Sequence, residues 1–203
     1  MVFAKLLVAN RGEIAVRVIR TAHEMGIRTV AIYSADDALA PHVRLADESI
    51  ALAGEGAAPY LDIPGVVATA KAAGCDALHP GYGLLSENAA FAEACQQAGI
   101  VFVGPPVESL RMMGDKVRAR AAAGAAGLPV LRGEPVANIE DAAAFMASLA
   151  PGATMLLKAV AGGGGRGLRV IQAPADIEKA FPRAEAEDRK STRLNSSHIT
   201  ISY

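Results

Sequence analysis

Short apolar runs alternate with amphipathic stretches over the first hundred residues. Each run has the length of a strand, and five strands are predicted: Lys5–Ala9, Thr29–Tyr33, Glu48–Leu52, Cys75–His79 and Ile100–Val103. Between the first two, apolar residues recur at helical spacing up to Gly26, a residue suited to end a helix. Strands and helices that alternate in this way are typical of a doubly wound parallel sheet, so the predicted fold is α/β and Rossmann-like.

Two further helices are predicted in this region. Asp62 and Pro64 indicate the start of a helix that runs to Gly74. Ser86 is predicted to cap a helix over Glu87–Ala98. Because ligands of doubly wound sheets collect at the carboxyl ends of the strands, residues 10–13 and 79–83 are expected on the functional edge.

A change of pattern divides the chain. Pro105 and Pro106 mark the end of a first domain, which is predicted to span residues 1–104. Residues 105–127 are predicted to be linker helices, and residues 128–188 an α+β lid. The predicted elements beyond Pro106 are helices Val107–Met113 and Lys116–Ala126, a strand near Leu128, a helix Glu140–Leu149, strands Thr154–Ala159 and Leu168–Ile171, and a helix from Asp176.

The last segment, residues 189–203, is rich in serine and threonine and lacks apolar periodicity. It resembles translated adapter sequence, so it is predicted to be a non-native tail and is excluded from the fold prediction. A native polar tail is the alternative. His198, which lies in this segment, is given no role.

Composition and charge exclude several classes of function. The 203 residues are 52% hydrophobic and 20% charged, and the net charge of -1 offers no basic surface for nucleic acid. No apolar run reaches the length of a membrane span, and no signal peptide precedes the first strand. Cys75 and Cys95 have neither metal-site nor disulfide spacing. A cytoplasmic protein without a membrane or nucleic-acid partner is expected.

Four consecutive glycines, Gly162, Gly163, Gly164 and Gly165, separate two apolar strands. Bare backbone N–H groups of such a loop can surround phosphate oxygens, and Lys158 and Arg166 supply cations at its edges. A flexible linker is the alternative, although linkers are polar and rich in serine as well as glycine. No Gly-Lys-Ser/Thr sequence ends the loop, so a phosphate site of a type other than the Walker A loop is predicted.

Two motifs follow strands of the first sheet. The turn after the first strand contains one glycine, Gly12, where a dinucleotide site needs three, so NAD binding is disfavoured although Asp36 and Asp37 follow the second strand. In the second motif Tyr82 stands between Gly81 and Gly83. A tight turn explains the glycines, whereas an aromatic residue between them indicates a wall that faces a ligand.

A lysine also stands at a predicted helix start, in the sequence Met113-Gly114-Asp115-Lys116. A solvated surface charge is the ordinary interpretation of such a lysine. Together with Lys158 and the glycine-rich loop, however, Lys116 favours a nucleotide site, because each ammonium group is a point charge for phosphate oxygens.

These segments closely resemble biotin carboxylase, the ATP-grasp component of biotin-dependent carboxylases. The resemblance covers residues 4 to about 187, and the sequences that carry it are Ala-Asn-Arg-Gly-Glu-Ile-Ala (9–15), His-Pro-Gly-Tyr-Gly-Leu-Leu-Ser-Glu-Asn (79–88), Met-Gly-Asp-Lys (113–116) and Lys-Ala-Val-Ala-Gly-Gly-Gly-Gly-Arg-Gly (158–167). It implies a biotin carboxylase N-terminal domain followed by the lid of an incomplete ATP-grasp fold.

The resemblance also implies an activity, the ATP-dependent carboxylation of biotin on a carrier domain. The implied ligands are ATP, Mg²⁺, bicarbonate and biotin, and the implied partners are a biotin carboxyl carrier protein and a carboxyltransferase, often in a homo-oligomer. Its ATP-binding residues correspond here to Lys116, Lys158, Gly162, Gly163, Gly164, Gly165, Arg166 and Gly167. Tyr82 and Gly83 correspond to the rim that biotin approaches.

Two departures from the family pattern stand out. Ala161 occupies a position where many members carry another glycine. The family's metal-binding glutamates, catalytic base, biotin-facing arginine and bicarbonate site all lie beyond the sequence. We therefore expect no catalytic residue, no metal ligand and no carboxylase activity in the 203-residue chain alone. Another ATP-grasp ligase, of carbamoyl phosphate or purine synthesis, and a non-catalytic nucleotide-binding module are the alternatives.

Overall fold

Five short strands build the first sheet: β1 (Lys5–Val8), β2 (Arg28–Tyr33), β3 (Glu48–Ala51), β4 (Ala77–His79) and β5 (Val101–Phe102). The computed structural model describes residues 3–159, 168–191 and 199–202. All neighbouring pairs in this sheet are parallel, and the order is β3-β2-β1-β4-β5. The chain therefore winds outward on both sides of β1, which confirms the predicted doubly wound sheet.

Helices cover both faces of this sheet, as alternating side chains of β1 require. Leu6 and Val8 pack on one face with Ile19 of α1 (Gly12–Glu24), and α2 (Pro41–Leu45) follows β2. Leu7 and Ala9 point to the other face, where they join side chains of α3 (Ile63–Ala72) and α4 (Ala89–Gln97). Strands that are buried on both faces read as continuous apolar runs, which is why the sequence revealed them.

The start of α4 differs from the prediction. The helix begins after Asn88, whose side-chain oxygen accepts a hydrogen bond from the Phe91 N–H at 3.1 Å, so Asn88 and not Ser86 is the N-cap. Leu84 has a left-handed φ of +42°, and the Ser86 N–H donates to the Gly83 carbonyl oxygen at 2.9 Å. This extra turn delays the helix. At the end of α1, in contrast, Gly26 has φ +71°, as predicted for a glycine that ends a helix.

A second compact unit begins at Met112, within helix α5 (Val107–Gly114). Its core is formed by the inner faces of strands and helices, including Phe145, Met155, Leu157 and Ile171. Its four strands lie in the order β6-β9-β7-β8 and pair antiparallel. The elements are α6 (Lys116–Ala125), β6 (Gly133–Val136), α7 (Ile139–Ala147), β7 (Met155–Ala159), β8 (Leu168–Ile171), α8 (Pro174–Ser191) and β9 (Ile199–Ser202).

One prediction for this unit is wrong, since the strand expected near Leu128 begins instead at Gly133, and Leu128 and Leu131 are exposed. No element was predicted within residues 189–203, yet α8 continues to Ser191 and β9 lies between β6 and β7. The sequence Ile-Thr-Ile-Ser of β9 alternates with period two, the signal that was overlooked. The non-native origin of these residues stays a prediction.

Among the helices of the described residues, none is long and apolar enough to cross a bilayer.

Candidate functional site

The carboxyl ends of β1 and β4 meet at one edge of the first sheet. The Ala9 N–H donates to the His79 carbonyl oxygen at 2.8 Å, one residue beyond the paired part of β1. The two sequence motifs that follow these strands are therefore side by side, as expected at the point where strand order reverses.

Asn10 connects the two motifs. Its side chain is 1% exposed, and its amide nitrogen donates to two carbonyl oxygens of the facing turn, Pro80 at 2.8 Å and Tyr82 at 3.1 Å. Its amide oxygen accepts from the Arg11 N–H at 2.9 Å. A buried amide with both donor hydrogens and its oxygen engaged has one stable orientation.

The turn after β4 has an unusual backbone. Gly81, Gly83 and Leu84 all have positive φ, at +66°, +69° and +42°. At Gly81 space is also restricted, since a Cβ would lie 2.5 Å from the Asn10 amide nitrogen and 2.8 Å from Ile14 Cγ2. The first glycine is therefore required both by conformation and by the close approach of Asn10.

His79 stabilises the same turn from within. The Gly81 N–H donates to His79 Nδ1 at 2.9 Å, which assigns the ring proton to Nε2 when the ring is neutral. Burial lowers the pKa of His79, so the neutral ring that accepts this bond is favoured.

Tyr82 faces solvent from this turn. Its side chain is 60% exposed, although its carbonyl oxygen is held by Asn10. An exposed aromatic ring on a fixed backbone can form one wall of a ligand site. The turn thus gathers Tyr82 and Gly83, the residues predicted to face biotin. An open cavity of about 430 Å³ adjoins it, lined by Tyr82, His79, Gly81 and residues of α1.

The acidic pair after β2 is engaged within the protein. Asp37 accepts from Arg11 Nη2 at 2.7 Å and from the Tyr60 hydroxyl at 2.7 Å. Asp36 accepts from the Ser34 hydroxyl at 2.7 Å. In a dinucleotide domain an acid at this position, after the second strand, binds the ribose. Because both carboxylates already have protein partners, the geometry offers no support for NAD binding.

The pKa values of Asp37 and Tyr60 are shifted in opposite directions. Burial alone would raise the pKa of Asp37, but hydrogen bonds from Arg11 and Tyr60 outweigh it and hold the pKa below its usual value. Burial, together with the bond to Asp37, raises the pKa of Tyr60 to about 12. The Arg11 guanidinium also lies 5.7 Å from the centre of the Tyr60 ring. Ion pair, hydrogen bond and ring contact thus support one another.

Sequence reasoning missed Tyr60 and His42. Tyr60 lies in a short turn, Ala58–Leu61, and no local pattern distinguishes it. His42 on α2 is fully buried, and within the described ranges neither ring nitrogen has a hydrogen-bond partner. Burial lowers the pKa of His42; the nearby Ile32 backbone and the Asp37 charge raise it by less, and the Arg11 charge lowers it further. A neutral ring in this pocket is therefore favoured.

The predicted nucleotide residues belong to the second unit. Lys116 is the first residue of α6, and the Asp115 side chain caps this helix by accepting from the Val117 N–H at 2.9 Å and the Arg118 N–H at 3.1 Å. The side chain of Lys116 lies outside the described part. Lys158 is half-buried in β7, and it alternates with buried Leu157, so it faces away from the core of this unit.

The predicted phosphate-binding residues of the glycine-rich loop all lie outside the described residues: Gly162, Gly163, Gly164, Gly165, Arg166 and Gly167. Within the described ranges, no group of three or more histidine, cysteine, aspartate or glutamate side chains could hold a metal ion.

Two family models match the chain. The biotin carboxylase N-terminal domain matches residues 2–110, and the ATP-binding domain of the carbamoyl-phosphate synthase L chain matches residues 115–199. Mitochondrial pyruvate carboxylase of Mus musculus is 50% identical over 188 residues, which are 90% of this chain and 16% of that protein.

Solved structures agree with these matches. A biotin carboxylase from Campylobacter jejuni in complex with beta-gamma-ATP aligns with a TM-score of 0.91 and 40% identity, over 99% of this chain and 45% of that one. The biotin carboxylase domain dimer of Hydrogenobacter thermophilus 2-oxoglutarate carboxylase, with MgADP, ADP and bicarbonate, has a TM-score of 0.90 and 38% identity, over 100% and 44% of the two chains.

The chain thus spans less than half of each of these relatives. Residues 2–110 match a biotin carboxylase domain in sequence, and the alignments with solved biotin carboxylases cover 99% and 100% of this chain. On these grounds the chain belongs to the biotin carboxylase family.

Proposed function

We propose that the chain provides the N-terminal domain and part of the nucleotide lid of an enzyme that carboxylates carrier-bound biotin with ATP and bicarbonate. The observation that carries this proposal is the exposed ring of Tyr82 on a turn held by Asn10, in a chain of the biotin carboxylase family. The ligands of the related structures, beta-gamma-ATP in one and MgADP with bicarbonate in the other, support the substrates.

The reaction consists of two transfers. A bicarbonate oxygen bonds to the γ-phosphorus of ATP as the bond to the bridging oxygen breaks, which yields carboxyphosphate and ADP. Carboxyphosphate then separates into phosphate and CO₂, and a ureido nitrogen of biotin bonds to the CO₂ carbon as its proton passes to a base. Such transfers depend on charge neutralisation and on exclusion of water more than on covalent help from the protein.

Residues of this chain take binding roles in that scheme. We assign Lys116 and Lys158 to ATP, where each ammonium neutralises or hydrogen-bonds part of the nucleotide. Residues 162–167 are assigned to the phosphates, since bare backbone N–H groups suit phosphate oxygens. Tyr82 and Gly83 are assigned to the biotin side. The described residues offer no ligand set for Mg²⁺.

Partners and location follow from the same proposal. A biotin carboxyl carrier protein would bring biotin to Tyr82, and a carboxyltransferase would use the product. The H. thermophilus biotin carboxylase domain is a dimer, which supports a homo-oligomer. Cys75 and Cys95 are both buried and carry free thiols, which supports a reducing, cytoplasmic compartment.

A chimera tests the proposal. Residues 1–187 of this chain are continued into the remaining part of the C. jejuni biotin carboxylase, and incorporation of labelled bicarbonate into free biotin is measured. We expect ATP-dependent turnover that Lys158→Ala lowers at least tenfold, whereas Lys179→Ala, a lysine of α8, leaves it unchanged. A folded chimera that binds ATP without carboxylating biotin would favour a non-catalytic nucleotide-binding module.

A further inference from the structure

The turn that carries Tyr82 contains three left-handed residues among four, residues 81–84, with positive φ at Gly81, Gly83 and Leu84. Left-handed backbone is disfavoured for a residue such as Leu84, so surrounding groups have to hold this conformation. Only local bonds hold the turn from within, from the Gly81 N–H to His79 and from the Ser86 N–H to Gly83.

Asn10 holds the turn from outside. Its two amide hydrogens reach the carbonyl oxygens of Pro80 and Tyr82, so the peptide unit before Gly81 and the peptide unit after Tyr82 are both tied to one side chain. The missing Cβ of Gly81 creates the space that the Asn10 amide fills. Fixing the Tyr82 carbonyl restricts the direction in which the Tyr82 ring leaves the backbone.

The other end of this contact is anchored in rigid parts of the sheet. Asn10 follows Val8 and Ala9, which are buried in opposite faces of the sheet. Its amide oxygen binds the Arg11 N–H, and the Arg11 guanidinium is held in turn by Asp37 at 2.7 Å. Because its amide nitrogen is bonded to the turn and its amide oxygen to the chain after β1, the Asn10 side chain can hold the turn at a fixed position relative to the sheet.

We propose that Asn10 is a positioning residue that fixes the backbone at Tyr82 and thereby orients the Tyr82 ring toward biotin. The effect on biotin rests on the proposed function, whereas the hydrogen bonding of the turn by Asn10, here called the clamp, does not. Asn10 itself, at 1% exposure, is not expected to touch a ligand. Replacement of Asn10 should therefore weaken biotin binding through Tyr82 and leave ATP binding unchanged.

Asn10→Asp is the sharpest variant. It keeps the shape and the oxygen that accepts from Arg11, but it replaces the donor group by an acceptor that faces two carbonyl oxygens. Asn88→Asp is the matched control, because the Asn88 oxygen accepts from the Phe91 N–H and a carboxylate can do the same. Asn10→Ala, which introduces no charge, keeps the test decisive if the aspartate variant does not fold.

The first measurement is hydrogen exchange of residues 79–88 in the 203-residue chain, with chymotrypsin cleavage after Tyr82 as a second readout. Loss of two hydrogen bonds should speed exchange by about 10- to 100-fold in the Asn10 variants. Exchange in α1 and α3 should be unchanged, and Asn88→Asp should resemble the parent chain. Unchanged exchange and cleavage in a folded Asn10 variant would overturn the clamp.

The second measurement is the kinetics of the chimera described above. We expect the KM for free biotin to rise about tenfold in Asn10→Asp while the KM for ATP stays constant, a split that general loss of stability does not produce. A loosened turn with an unchanged KM for biotin overturns the positioning role. If the parent chimera has no turnover, the proposed function fails, and the exchange result still decides whether Asn10 holds the turn.

Discussion

Alanine at Gly81 and at Gly83 should have clearly different effects on stability. The two glycines have nearly the same φ, +66° and +69°, so alanine suffers similar backbone strain at either site, about 1–2 kcal/mol. About 0.4–1 kcal/mol of this is recovered because alanine restricts the unfolded chain. The surroundings differ: nothing lies within 4 Å of a Cβ at Gly83, whereas one at Gly81 meets the Asn10 amide nitrogen at 2.5 Å.

The clash at Gly81 sets the size of the difference. Asn10 is buried and bonded at both ends, so it cannot rotate away, and Ile14 Cγ2 closes the other side at 2.8 Å. Either Asn10 or the turn must shift, and the bonds to Pro80 and Tyr82 are lengthened or lost. At about 0.5–1.5 kcal/mol for each bond, Gly81→Ala should be less stable than Gly83→Ala by about 1–3 kcal/mol.

Urea unfolding followed by circular dichroism measures this difference, with hydrogen exchange of residues 77–79 to report on the first unit alone. Gly83→Ala is the control for backbone strain, and both variants are compared with the parent chain at one pH. Equal free energies of unfolding for the two variants would refute the reasoning. That result would mean that Asn10 does not pack against Gly81.

Three further predictions follow from other parts of the first unit. The pKa of Asp37 is lowered in the folded state, so ionised Asp37 stabilises the fold fully above the unfolded pKa of about 4, and this stabilisation is lost as pH falls below it. In Asp37→Asn, the free energy of unfolding, measured by urea titration, should therefore decrease less between pH 5 and pH 3 than in the parent chain. The pKa of His42 is lowered by burial, so on acidification the unfolded chain binds a proton before the folded one does, and the free energy of unfolding decreases once the pH is below about 6.5. His42→Leu should reduce the difference in unfolding free energy between pH 8 and pH 5.5. An unchanged difference would contradict a buried neutral ring. Asn88→Ala should cost about 1 kcal/mol because it removes the cap of α4, and thermal unfolding of Ser86→Ala should differ by much less.

Elements set by short-range pattern could be predicted from the sequence, whereas contacts between distant segments could not. The strands of the first sheet are apolar runs and α1 ends at a glycine, so both were found within a residue or two. The cap of α4 was misplaced because Leu84 adopts a left-handed turn that a leucine side chain does not suggest. The role of Asn10 depends on pairing between β1 and β4, which brings it to residues about seventy positions later.

The crevice of the doubly wound sheet in the first unit differs from that of a dinucleotide domain, and the side chains after β1 account for the difference. In a dinucleotide domain three glycines leave this crevice open for a pyrophosphate. Here Asn10 fills the side toward β4 and Arg11 fills the side toward β2, where Asp36 and Asp37 already have protein partners. The crevice is thus closed by bonds that join three strand ends. The outward face of the turn after β4 lies at this same edge, and that face presents the exposed ring of Tyr82. Closing the crevice and presenting the ring are therefore two results of the same interactions, which is why a single amide, that of Asn10, is the group whose replacement tests both.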